Sequence, residues 1–202
     1  MAKKNRMTKN TNAEKWIKSL TQLQGLLSDN EKADIILDWF GLKPAAMIEV
    51  SCYKRMSKKD FLKKVATLKN ILTGLGLRYK LHLNYPKRSN EVTRYSFVAK
   101  NEKIFKRIIV ANAEKDIIVR RQRVGKLLGY PSTAIKAFSE TNHLHPQDLP
   151  IPIKDLEILK FLNFRLSKNW RTELSYVKRR MRIIKRVAPD LYKKIINKKR
   201  AV

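Results

Sequence analysis

Apolar positions along the chain fall into runs whose period changes, and those changes mark out the elements. From Ala13 onward, Trp16, Leu20, Leu23 and Leu27 recur at helical spacing, and a second helical run passes through Ile35, Ile36, Trp39 and Phe40 to a stop at Gly41 and Pro44. Residues 45 to 53 are apolar enough for a strand. Ser57, with Asp60 three residues on, opens a capped helix carrying Phe61, Leu62, Val65, Leu68, Ile71 and Leu72, which Gly74 and Gly76 end. Tyr79, Leu81 and Leu83 then alternate with polar positions, as do Tyr95, Phe97 and Ala99. With Pro86 and Asn90 between them, these two stretches predict a β-hairpin whose loop carries Lys87 and Arg88.

Beyond Asn101 the period is helical again, through Ile104, Ile108 and Ile109, then Ile117, Ile118, Val124, Leu127 and Leu128, before Gly129, Tyr130 and Pro131. Ser132 is placed to cap a short helix through Ile135 and Phe138. Three prolines between residues 143 and 152 predict an extended connector. A long helix from about Thr172 keeps Leu174, Val177, Met181 and Ile184 on one stripe until Pro189 breaks it, and Leu191, Tyr192, Ile195 and Ile196 end the pattern. The expected fold class is α+β: mostly helical, with a small antiparallel sheet and hairpin in the first half and a helical second half. The expected divisions are a basic flexible arm (1–12), an α+β body (13–142), a proline-rich connector (143–153) and a basic helical C-terminal segment (154–202). No internal repeat is visible.

Charge changes this picture most. The 202 residues carry 46 Lys and Arg against 17 Asp and Glu, a formal charge of +29. Self-repulsion of that size opposes compaction unless a polyanion neutralises it, so nucleic acid is the expected partner, RNA ahead of DNA. The excess is uneven: residues 1–50 and 101–150 carry net +2 and +4, whereas 51–100 and 151–202 carry +11 and +12. The nearly neutral helical pair in residues 13–50 is therefore assigned to packing or to a protein partner. One cysteine, Cys52, forms no internal disulfide, and no apolar run approaches the ~18 residues of a membrane span. The expectation is an intracellular, cytoplasmic protein with no membrane partner.

Three basic patches are the candidate nucleic-acid contacts. On the C-terminal helix, Lys178, Arg179, Arg180, Arg182, Lys185 and Arg186 lie between the apolar positions, spread over ~12 Å of axis. The helix carries no Asn or Gln there to read adenine, which favours backbone contact over base reading. The stripe also lacks the bulky Trp or Phe of a helix lying on a membrane. Around the sheet, Lys54, Arg55, Lys58, Lys59, Lys63, Lys64, Lys80, Lys87, Arg88 and Arg94 are interleaved with Tyr53, Tyr79, Tyr85 and Tyr95. Such aromatics either stack unpaired bases or form core and cross-strand pairs, and the packing role is the expected one. Arg120, Arg121, Arg123 and Lys126 form the third patch.

That third patch leads into Gly125-Lys126-Leu127-Leu128-Gly129-Tyr130-Pro131, followed by Ser132, Thr133, Ala134 and Phe138. The run resembles the signature of an uncharacterised prokaryotic family common among archaea, domain of unknown function 483, in which a similar run is followed by paired cysteines. Residues 167 to 194, including Pro189-Asp190-Leu191-Tyr192, are similar to a second part of its pattern, so the resemblance spans roughly 95–195. Where the family places cysteines this chain has Thr133 and Ala134, and no thiol lies near Leu166 or Trp170. A metal or redox role built on those thiols does not carry over. The resemblance implies a fold and supplies no activity.

Catalytic groupings are sparse. His143 and His145, with Asp148 nearby, make a weak metal motif, and Gly74, Gly76, Gly125 and Gly129 lack the spacing of a dinucleotide fingerprint or P-loop. Asp34 and Asp38 share a helix face next to Trp39 and Phe40, and the expected role of that face is solvation. Asp155 with Glu157 is the other acidic pair. No catalytic residue, metal site or cofactor is expected. Residues 75–105 resemble in outline half of a LAGLIDADG homing endonuclease without its acidic motif, which implies at most a degenerate DNA-binding relative. The expected function is non-catalytic binding of structured RNA in a ribosome or other ribonucleoprotein. The alternatives are a DNA-binding protein of a mobile element or chromosome and, behind it, a nucleic-acid-modifying enzyme marked by a polar constellation around Tyr130, Thr133 and His143.

Overall fold

The computed structural model describes residues 11–52, 56–85 and 94–198. Helix α1 (Thr11–Gln22) precedes α2 (Asp29–Trp39), whose capping box is complete: Ser28 accepts from the Glu31 backbone N–H, and the Glu31 carboxylate accepts from Ser28 N at 2.7 Å. Strands β1 (Ala46–Ile48) and β2 (Val50–Ser51) follow, and the second Glu31 oxygen accepts from Glu49 N where the two strands meet. Helix α3 (Lys58–Gly74) begins at the predicted cap, with Ser57 Oγ accepting from Asp60 N at 3.1 Å. At its end a Cβ on Gly74 would lie 2.2 Å from the Trp16 ring, so α3 reaches α1 in a contact that only glycine permits.

The predicted pairing across the hairpin is present. β3 (Arg78–Lys80) runs antiparallel to β5 (Ser96–Ala99), which also pairs with β1, giving the order β1-β5-β3; short β4 (Leu83–Asn84) pairs in parallel with β2. Central β5 is buried along its whole length and splits the apolar residues by alternation. Val98, with Ala46 and Ile48, faces the main core. Phe97 and Ala99, with Ala45, face a smaller cluster that includes Ile108 and Leu128. That second cluster is covered by α4 (Glu102–Asn112) and α5 (Ile117–Leu127). Ile117 and Ile118, part of the apolar pattern that predicts this helix, are each 48% exposed in its first turn, whereas Gly125 and Leu128 at its other end are buried.

Helix α6 (Ser132–Ser139) starts one residue earlier than a Ser132 cap requires. Pro131 holds the N-cap position, and Ser132 is the first helical residue. The proline-rich stretch contains a 3-10 turn (Pro146–Asp148), and Leu144 bridges to Leu166. A longer 3-10 segment (Ile153–Phe161) then leads to α7 (Trp170–Val187) and α8 (Pro189–Asn197). The connector does not separate two cores: Val177, Ile184, Leu191 and Ile195 belong to the same buried cluster as Leu20, Ile36 and Leu68. The apolar stripes of residues 13–50, read as packing or a partner surface, are spent within that cluster. Of the arm expected over 1–12, residues 1–10 lie outside the described residues, as does the hairpin loop 86–93, while Thr11 and Asn12 already belong to α1. No described helix is long and apolar enough to cross a membrane.

Candidate nucleic-acid interface

The cations divide by burial. On α7, Arg179, Arg182, Lys185 and Arg186 are exposed, while Trp170, Leu174, Val177 and Ile184 on the other side fill the core. Steps of three, three and one between the four keep them on one solvent-facing strip. Among the described residues none of the four meets a carboxylate, and Lys185 Nζ lies 5.4 Å from the Tyr192 ring centre. Lys178, on the same helix, is half-buried.

Arg180 departs from the strip. It is 6% exposed and pairs through Nη2 with Asp34 Oδ1, while its Nη1 donates to Asn163 Oδ1. Its position explains this: residue 180 lies three beyond Val177 and four before Ile184, inside the apolar stripe. It is therefore engaged within the fold and does not reach the surface as the sequence reading expected. Asp34 and Asp38, read as the solvated face of α2, are buried as well, at 4% and 1% exposure. Residues 32 to 38 of α2 are buried on every side, so the helix has no solvated face there.

These groups form one network. Asp34 accepts from Lys43 Nζ, from Arg180 and from Asn163 Nδ2, the last at 2.6 Å. Lys43 Nζ also lies 5.2 Å from the centre of the Tyr130 ring. Burial lowers the Lys43 ammonium to about 8, with the Asp34 charge opposing. Asp38 Oδ1 accepts from Lys100 N at 3.2 Å, while Oδ2 is buried without a hydrogen-bond partner among the described residues. Burial raises this carboxyl to about 7. Burial likewise raises the Tyr130 and Tyr176 phenols.

The glycine-leucine-glycine-tyrosine-proline run has a physical reading in this setting. Gly129 (φ +72°) ends α5 in a Schellman turn, with Tyr130 N donating to Gly125 O and Gly129 N to Lys126 O, both at 3.1 Å. Its carbonyl accepts from Tyr176 Oη at 2.6 Å. The turn sets Tyr130 against Lys43 and against Phe164, whose ring centre is 5.5 Å away. Thr133 donates to Glu173 at 2.5 Å, and Ser167 N donates to the same carboxylate at 2.8 Å, tying α6 and α7 together. Thr133 and Tyr130 thus belong to separate polar contacts.

Around the sheet, Lys58, Lys59, Lys63, Lys80 and Arg94 are exposed, whereas Lys64 Nζ donates to Gln24 O at 2.9 Å. Lys54, Arg55, Tyr53, Lys87 and Arg88 lie outside the described residues. Tyr85 stacks on Phe61 with ring centres 5.1 Å apart, Tyr79 packs against the main core, and Tyr95 is 45% exposed. On α5, Arg123 is occupied by Glu114 at 2.9 Å, Lys126 is exposed, and Arg120 and Arg121 are half-buried at the wall of a cleft of about 1100 Å³. Arg165, which the sequence did not single out, joins that wall from the loop before α7, and Arg94 joins it from the strand side. Nothing in a linear reading links residues 94, 120 and 165. His143 and His145 sit with ring centres 5.6 Å apart, and no group of three or more metal-binding side chains gathers among the described residues.

No family model, curated protein or solved structure matches this chain.

Proposed function

We propose that this protein is a non-catalytic RNA-binding protein that contacts the phosphates of structured RNA as a component of a ribonucleoprotein, with the ribosome as the best-fitting particle. The observation that carries the reading is the exposed strip of Arg179, Arg182, Lys185 and Arg186, which meets no carboxylate among the described residues and lies on a helix anchored by its opposite side. Cations so placed gain little within the fold and gain counterion release on a phosphate backbone. Further exposed cations on α3, α4 and α8, among them Lys58, Lys59, Lys103, Arg107, Lys193 and Lys194, suit an RNA that meets the protein on several elements.

The test is binding by fluorescence anisotropy to a folded ribosomal RNA fragment and to duplex DNA of equal length, across a KCl series. The expected result is tighter binding to the RNA, with a steep salt dependence. The triple variant R179Q/R182Q/R186Q should weaken binding and lower the salt slope by roughly one for each phosphate that is no longer neutralised. Native protein should also sediment with ribosomal subunits and be released by ribonuclease. Equal or tighter binding to duplex DNA, with no ribonuclease-sensitive sedimentation, would replace this reading with a DNA-binding one.

A further inference from the structure

The cleft between the sheet, α5, α6 and the loop before α7 has a composition that phosphate binding alone does not account for. Its volume of about 1100 Å³ is at the upper end of small-molecule sites. Its charged groups are four arginines, Arg94, Arg120, Arg121 and Arg165, and no Asp or Glu among the described residues lines it. Among the described residues none of the four pairs with a carboxylate.

Flat aromatic surface accompanies the charge. Phe138 (38% exposed) and Tyr95 (45% exposed) stand at the rim, and the Arg121 guanidinium lies 4.8 Å from the centre of the Phe138 ring. Tyr130 and Phe164 form the floor, held by Lys43 over the Tyr130 ring and by Asn163 bonded between Asp34 and Arg180. Arg121 and Arg165 of the cleft wall also act on nearby His143. Burial, and then the fields of Arg165, His145 and Arg121, lower the basicity of His143. Like charges held together beside exposed rings are unfavourable in the free protein, and an anionic ligand with a planar apolar part relieves both costs.

We propose that this cleft receives an unpaired nucleotide of the bound RNA, with its base against Tyr95 and Phe138 and its phosphates on Arg120, Arg121 and Arg165. The proposal rests on the RNA reading above and adds to it a preference for bulged or flipped-out residues over continuous helix. Aromatic faces accept any base, so the preference is for the unpaired state and not for a sequence.

The experiment compares two RNA hairpins that differ at one position: a single bulged 2-aminopurine, or the same 2-aminopurine paired with uridine. Affinity is read by anisotropy from a label on the far end, and insertion of the base by 2-aminopurine fluorescence. The bulged hairpin should bind about tenfold more tightly, with its fluorescence quenched, as expected when one base stacks on aromatic side chains. Y95A and F138A, both at exposed side chains, should each remove most of that preference while affinity for the paired hairpin stays unchanged. Equal affinity for the two hairpins with unchanged fluorescence would overturn the cleft proposal and leave the phosphate-binding reading standing. Failure to bind either hairpin would overturn both.

Discussion

Asp34, on α2, joins the Lys43 turn that leads into β1 to Arg180 on distant α7, with Asn163 as a third partner. Two cations share its carboxylate, so removing its charge leaves both buried without compensation. D34N should destabilise the fold by about 3–5 kcal/mol, measurable by urea denaturation, because an unpaired buried charge costs more than the pair contributes. Asp38 carries the opposite prediction. Its carboxyl is raised from the ordinary carboxylate range to about 7 by burial, so in the folded state it holds a proton that the unfolded chain has released. The stability it contributes is complete below pH ~4 and is lost as pH rises to about 7, since the native state binds more protons over that window. D38N, which keeps an oxygen to accept from Lys100 N, should remove this loss, gaining ~2–4 kcal/mol at pH 8 and almost nothing at pH 4. Urea titrations of both proteins at the two pH values would show it; an equal gain at both would mean that the carboxyl is not protonated in the fold.

At the scale of elements, the corner after α5 and the phase of α7 decide most. Gly129 takes a positive φ, and a Cβ there would also lie 2.6 Å from Pro44 Cδ. G129A combines backbone strain with a clash against a ring that cannot rotate away, and should cost ~2–4 kcal/mol of stability and lower the melting temperature. A similar variant at exposed Gly76, whose Cβ would meet nothing within 4 Å, should show only the strain. The comparison separates the packing role of the glycine-leucine-glycine-tyrosine-proline run from its turn role. The helices were legible as periodic runs: α3 begins at its predicted cap, and α7 begins two residues before the position expected. The strip on α7 was legible too, but its exact membership was not. A three-four alternation leaves the edge of the stripe undefined by one position, and Arg180 falls on the inner side of that edge. For α2 the pattern itself set Asp34 and Asp38 apart: Ala33, Ile35, Ile36 and Leu37 leave one side of the axis to the two carboxylates, and that side is met by residues from elsewhere in the chain, Lys43, Lys100 and Arg180.

At the scale of the molecule, a formal charge of +29 is held on one body whose main core draws on residues from both ends of the described chain. Lys194 donates to Thr21 O at 3.1 Å, and Asn30 donates to Lys160 O at 2.9 Å, so basic C-terminal elements are bonded to the nearly neutral N-terminal helices. The surface then repels itself over distances that salt screens. Raising KCl from 50 to 500 mM should increase the melting temperature of the free protein by several degrees, and an RNA that binds should do so at low salt. A melting temperature indifferent to KCl would show that the charges are already compensated within the fold.

The sequence by itself determined the α+β class, the presence of most helices, the hairpin pairing of β3 with β5 and the large positive charge, because each follows from local periodicity, capping chemistry or simple counting. Only the tertiary structure decided which cations face water, that Asp34 and Asp38 are buried, and that Arg94, Arg120, Arg121 and Arg165 surround one cleft. The reason is physical. Burial and convergence depend on how helices are rotated and on contacts between residues far apart in the chain, such as Asp34 and Arg180, 146 positions apart, and no local pattern encodes those contacts.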